Sequence, residues 1–187
     1  MPRGTLLLVV GPSGSGKDTL INGARVALAP HGRFAFPRRE ITRPADLGNE
    51  AHIAISEADF AARCEAGLYA LHWRAHGLCY GIPRGMETAL DEGRHVVVNV
   101  SRTIIDEARA RYYGLRVIQV GVPEAVLRLR LSQRARDDEA EVARRLARAD
   151  AYAPSGPDVV RFENDAPVET AVSRFVALLD SLAPVSA

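Results

Sequence analysis

Thr5–Val10 (TLLLVV) is an unbroken run of leucine and β-branched residues. Such a run marks a strand buried on both faces, as in the middle of a parallel sheet. His95–Val100 (HVVVNV) and Leu115–Val120 (LRVIQV), although interrupted by polar residues, also predict buried strands, and Val159–Phe162 predicts a weaker one. Between these runs the apolar positions recur at helical spacing. They predict helices over Lys17–Ala29, Arg84–Glu92, Thr103–Tyr112, Glu124–Arg134, Glu139–Tyr152 and Val168–Leu182, with Pro30 and Gly32 stopping the first. Strands alternating with helices of this length predict an α/β fold with a parallel, doubly wound sheet.

Two stretches break the alternation. Residues 34–83 are rich in Arg, Gly and His, with a helix expected at Glu57–Glu65 behind Ser56, and read as an inserted lobe. Residues 128–148 carry a high density of arginine around Asp137, Asp138 and Glu139. The expected organisation is one domain over 1–187, with a core at 1–33 and 84–187, a lobe at about 34–83 and an arginine-rich flap at about 130–148.

Composition removes several function classes. A formal net charge of +1 gives no electrostatic case for a nucleic-acid or membrane partner. The apolar run near the amino terminus is too short for a signal peptide or a membrane span, and no later stretch is long enough. The two cysteines, Cys64 and Cys79, form no metal-ligand pattern, so a soluble protein of the reducing cytoplasm is expected, its oligomeric state left open. Of the 24 Lys plus Arg, only Lys17 is lysine. Where arginine serves everywhere else, the surviving lysine marks a place that needs a compact ammonium on a flexible stem.

Lys17 lies in GPSGSGKD, residues 11–18, between a predicted strand and a predicted helix. The backbone N–H groups of such a loop converge on phosphate oxygens, and the helix amino terminus adds a favourable dipole. Gly11, Pro12, Ser13, Gly14, Ser15, Gly16, Lys17, Asp18 and Thr19 are therefore expected to bind ATP. P-loops ordinarily place a hydroxyl after the lysine to ligate Mg²⁺, and here Asp18 stands in that place. A carboxylate facing a triphosphate is repelled unless a cation sits between them, so Asp18 is expected to hold Mg²⁺, with Thr19 as the alternative ligand.

Together these motifs resemble the guanylate kinase-like family of nucleotide kinases. GPSGSGK opens the chain as it does there, and RLSQRARDDEAEVARRLARA, residues 130–149, resembles that family's lid. The resemblance implies that Arg134 and Arg145 contact the transferring phosphate and that Asn164, in FENDA, lies beside the adenine of ATP. It also implies acceptor contacts from Arg43 and Arg39, with Tyr80 bonding the acceptor phosphate and His52 standing where a tyrosine is usual. Asn99, Ser101 and Arg102 end a central strand, where open α/β sheets place their ligands.

The departures carry as much information. Guanylate kinases read guanine with a glutamate in the lobe and an aspartate at the end of the central strand, and those positions hold Leu71 and Ser101 here. The acidic residue two places before Ser101 is replaced by Asn99. GPSGSGKD, ITRP, ALHWRAHGLCYGIP and VVNVSR instead resemble the ribose 1,5-bisphosphate phosphokinases of bacterial phosphonate breakdown. That resemblance implies a small sugar phosphate as acceptor, with ATP and Mg²⁺. The rival expectations are a guanylate kinase and, from another class, a non-catalytic protein-binding module, which the intact loop disfavours.

Overall fold

A computed structural model of the chain describes residues 3–44, 52–123, 126 and 153–183. Five strands form a parallel sheet: β1 (Leu6–Val10), β2 (Phe34–Ala35), β7 (His95–Asn99), β8 (Arg116–Gly121) and β9 (Val159–Glu163), in the order β2-β7-β1-β8-β9. Every residue of β1 is buried, which explains its unbroken apolar run.

The pleat divides β1 between two cores. Leu6, Leu8 and Val10 pack with Val96, Val98 and Val117 against Met86 and Leu90 of α3 (Gly85–Asp91) and Ile105 and Ala108 of α4 (Ile105–Arg111). Leu7 and Val9 pack on the opposite face with Leu20 and Ala24 of α1 (Lys17–Leu28) and Phe175 and Leu179 of α5 (Val168–Leu182). A strand with a helix layer on each face has no room for a polar side chain.

The residues between β2 and α3 build a second sheet. Its strands are β3 (Glu40–Ile41), β4 (Ile53–Ala54), β5 (Tyr69–Ala75) and β6 (Leu78–Pro83), in the order β4-β3-β6-β5. Helix α2 (Glu57–Glu65) covers one face, where Phe60 stacks on Tyr69 at 4.9 Å between ring centroids. It begins at Ser56, whose hydroxyl accepts from the Asp59 amide. The other face sends Leu71, Trp73 and Ile82 into the core beside β1.

The helix expected over Glu57–Glu65 has those bounds. The one expected over Thr103–Tyr112 divides into a 3-10 turn at Arg102–Ile104 and α4. Phe34–Ala35 pairs with β7, so these residues belong to the core sheet and the second sheet starts after them. The helices expected over Glu124–Arg134 and Glu139–Tyr152 lie outside the described residues, as does the flap at about 130–148 with Arg134 and Arg145. Among the described residues, no helix is long and apolar enough to cross a membrane.

Candidate active site

β1 ends at Val10 and α1 begins at Lys17, so residues 11–16 form a loop at the carboxyl edge of the sheet. Gly14 and Gly16 take φ of +86° and +81°, with Gly16 as the amino-terminal cap of α1. These angles cost an L side chain energy and cost glycine none. At Gly11 the constraint is space, because an added Cβ would lie 2.5 Å from the Val120 carbonyl oxygen.

The loop is held from within and from below. Lys17 Nζ donates to the carbonyl oxygens of Gly11 and Pro12, 2.9 Å from each, and reaches Ser15 Oγ at 3.4 Å. Asn164 Nδ2 donates to the Ser15 carbonyl oxygen at 2.7 Å, and the Asn164 amide donates to Gly121 O at 2.9 Å. Both side chains are buried. Asn164 therefore ties the end of β9 to the phosphate loop.

Asp18 points across to β7. Asn99 Nδ2 donates to Asp18 Oδ1 at 2.7 Å, and Arg39 Nη2 lies 4.0 Å from the same oxygen. The contact follows from the sheet, since β7 runs beside β1 with Asn99 opposite Val9. Asp18, Asn22, Arg38, Arg39 and Asn99 line a small cavity of about 30 Å³ between α1 and the chain leading into β3. Thr19, one residue on, is exposed.

Arg39 continues the series into the second sheet. Its guanidinium lies 5.6 Å from the centre of the Tyr80 ring, and Tyr80 stacks on Trp73 at 5.3 Å with the planes 2° apart. Trp73 and Tyr80 are opposite each other across β5 and β6, so they share a face. Asn99, Asp18, Arg39, Tyr80 and Trp73 thus form an unbroken series from phosphate loop to second sheet.

Arg43 and His52 pair nearby. His52 Nε2 lies 3.2 Å from the Arg43 carbonyl oxygen, and His52 Nδ1 lies 3.4 Å from Arg43 Nη2. The Ser101 hydroxyl caps the 3-10 turn after β7, accepting from the Thr103 amide at 3.3 Å and from Thr103 Oγ1 at 2.9 Å. Arg102 follows it, and burial pulls its guanidinium below the usual arginine pKa. His72 does not join the site. Its neighbour Trp73 faces Tyr80, and His72 lies on the other face of the strand with the Phe60 and Tyr69 rings. Leu71 is fully buried in the apolar core and offers no acceptor to a purine.

A buried network went unread in the sequence. Glu40, 4% exposed, accepts from the Tyr69 hydroxyl and the Arg63 guanidinium on the α2 face of the second sheet. Burial and that hydrogen bond push the Tyr69 phenol above its usual pKa. The only advance signal was an acidic residue next to a β-branched one in REIT.

The donor set suits Mg²⁺. Among the described residues no cluster of three or more His, Cys, Asp or Glu could enclose a metal. Mg²⁺ is ordinarily held by one or two carboxylates plus phosphate oxygens and waters. A single carboxylate, Asp18, at the edge of a phosphate-binding loop fits that pattern.

The chain matches no protein-family model. The ribose 1,5-bisphosphate phosphokinase of Thiobacillus denitrificans is 45% identical to it over 179 residues, covering 96% of this chain and 94% of that protein. The enzyme of the same name from Desulfomicrobium baculatum is 44% identical over 163 residues, covering 87% of each. A bifunctional ribose 1,5-bisphosphokinase-thymidine phosphorylase of Azorhizobium caulinodans is 44% identical over 179 residues, and the chain spans 26% of that longer protein. Among solved structures, the guanylate kinase of Anaplasma phagocytophilum superposes with a TM-score of 0.66 at 18% identity, over 96% of this chain and 86% of that one. A gluconokinase from Sinorhizobium meliloti superposes with a TM-score of 0.55 at 19% identity, over 98% of this chain and 95% of that one. These two likenesses show the fold alone, an α/β fold built on a phosphate loop.

Proposed function

Because the chain belongs to the ribose 1,5-bisphosphate phosphokinase family, we propose that it transfers the γ-phosphoryl group of ATP to the 1-phosphate of ribose 1,5-bisphosphate, releasing ADP and 5-phosphoribosyl 1-diphosphate. The observation that supports this reading is the series from Asp18 through Arg39 to Tyr80 beside the Lys17 loop, which we read as a basic acceptor face next to a polyphosphate site.

An acceptor phosphate oxygen forms a new bond to the γ-phosphorus, and the bond from that phosphorus to the β–γ bridging oxygen breaks. The electron pair leaves with ADP. The attacking oxygen is already ionised near neutral pH, so no general base is required. What remains for the protein is positioning and charge stabilisation. Gly11, Ser13, Gly14 and Gly16 present backbone N–H groups to the donor phosphates, and Lys17 moves from the loop carbonyls to the β and γ oxygens. Asp18 would hold Mg²⁺, which would neutralise charge on the donor phosphates.

Arg39 and Arg43 take the acceptor phosphates, since a guanidinium offers two parallel donors to an oxyanion. Tyr80 donates its hydroxyl to the same group, His52 supports Arg43, and Ser101 and Arg102 border the sugar. Arg134 and Arg145 stabilise the charge of the transferring group. Asn164 serves ATP by fixing the loop beneath it. The free thiols Cys64 and Cys79 suit the reducing cytoplasm as the working compartment.

The test is a coupled assay for ADP release with ribose 1,5-bisphosphate, GMP and AMP offered in parallel, and direct detection of 5-phosphoribosyl 1-diphosphate. The sugar bisphosphate is expected to be turned over well above either nucleotide. GMP turnover at a matching rate would overturn the acceptor assignment, because buried Leu71 supplies no group to read guanine.

A further inference from the structure

P-loop NTPases of the GTPase and ATPase type divide the protein's hold on Mg²⁺ between two positions. A hydroxyl follows the loop lysine, and a carboxylate comes from a separate acidic motif. This chain inverts the chemistry. The carboxylate, Asp18, follows Lys17, and an amide, Asn99, ends the strand beside β1. The two side chains touch, with Asn99 Nδ2 donating to Asp18 Oδ1 at 2.7 Å.

We propose that acid and neutral partner have changed places, so that Asp18 carries the negative charge and Asn99 is its positioning residue rather than a ligand of the sugar. This inference rests on the reading of Asp18 as the Mg²⁺ ligand. Its physical content is the charge of the pair. Asp with Asn carries one negative charge, as Ser with Asp would. Two carboxylates in hydrogen-bond contact would repel each other, and one of them would be driven to protonate. A serine beside Asn99 would leave the cation no anionic ligand in this pair.

The amide also orients the carboxylate. Its hydrogen bond and the Arg39 ion pair both fall on Oδ1. Neither contact involves Oδ2, the oxygen assigned to the cation in this proposal. Groups that orient metal ligands ordinarily matter about 10–100-fold to metal affinity.

The test uses the full chain and calorimetric binding of a non-hydrolysable ATP analogue, with and without Mg²⁺. The ratio of the two affinities is the Mg²⁺ coupling. Asp18→Ser, which removes the ligand itself, is expected to lower the coupling by at least the about 10–100-fold that loss of an orienting group produces, and Asp18→Ser combined with Asn99→Asp is expected to restore most of it. On the native background, Asn99→Ala is expected to lower the coupling more than it raises the acceptor KM.

If the double variant couples no better than Asp18→Ser alone, the transposition is wrong while the metal role of Asp18 stands. If Asp18→Ser keeps the native coupling, the metal role itself fails and the transposition fails with it. Should the double variant not fold, Asn99→Ala decides. A raised acceptor KM with native Mg²⁺ coupling would make Asn99 a sugar ligand and overturn the inference.

Discussion

Asn164→Ala tests whether this asparagine acts on the nucleotide base or on the loop. In the native protein Asn164 Nδ2 lies 2.7 Å from the Ser15 carbonyl oxygen, with the two residues 5% and 0% exposed. Truncation removes a donor from a carbonyl that water does not readily reach. Leaving a buried acceptor unsatisfied ordinarily costs about 1–3 kcal/mol. At the middle of that range, and about 2–4 °C per kcal/mol for a chain of this size, Tm should fall by roughly 4–8 °C. Thermal unfolding without nucleotide measures that fall. Calorimetric titration with ATP, GTP and inorganic tripolyphosphate measures the second consequence. A loosened loop should weaken all three ligands by a similar factor, because what is lost is the preorganised set of amides. An unchanged Tm, or a loss confined to ATP with tripolyphosphate unaffected, would refute the reasoning and place Asn164 against the base. Asp165→Ala is the control, since its ion pair with Arg174 is half-exposed on both sides and its loss should leave Tm close to the native value.

Two further perturbations probe the scaffold. Gly81→Ala would put a Cβ 2.3 Å from Tyr69 Cε1, and that ring is 4% exposed with its hydroxyl tied to Glu40. A loss of about 1–3 kcal/mol is expected in urea unfolding, and a native midpoint would refute it. Asp158 makes a two-point ion pair with Arg109, at 2.9 and 3.0 Å, and that guanidinium holds its carboxyl below the usual aspartate pKa. The contribution is present above the unfolded-state pKa of about 4 and lost as pH falls through the folded one. Asp158→Asn should therefore be less stable by about 1 kcal/mol at pH 7, with the gap to the native protein closing below about pH 4. A gap that stays constant from pH 7 to pH 3 would show that the charge is not what matters.

The parts of the fold that the sequence declares are those where burial leaves little choice of residue. β1 is covered on both faces and its apolar run is unbroken, and β7 and β8 keep the apolar runs Val96–Val98 and Val117–Ile118 between the two helix layers. The phosphate loop is legible because backbone angles at Gly14 and Gly16 restrict composition. The second sheet was not legible. β3 and β4 are two residues each, too short to show a period. β5 reads YALHWRA, with burial on both faces at one end and on one face at the other. Yet the alternation within it separates His72 from Trp73 and puts them on opposite faces of the strand. Ser101 was singled out for its place at a strand end, and its hydroxyl caps the following turn. The serine two residues before Thr103 was a capping signal in plain view. The contact of Asp18 with Asn99 spans 81 residues, and only knowing that β7 lies next to β1 brings the pair together.

The ammonium of Lys17 is held by two carbonyls of its own loop. A long, flexible side chain usually surrenders considerable freedom when it clasps an anion. Here the surrender has already taken place within the protein, and an arriving polyphosphate exchanges one set of oxygens around a nitrogen for another. Affinity at this turn therefore reflects how much better a charged oxygen is than a peptide oxygen, which makes the loop a discriminator of ligand charge above ligand shape.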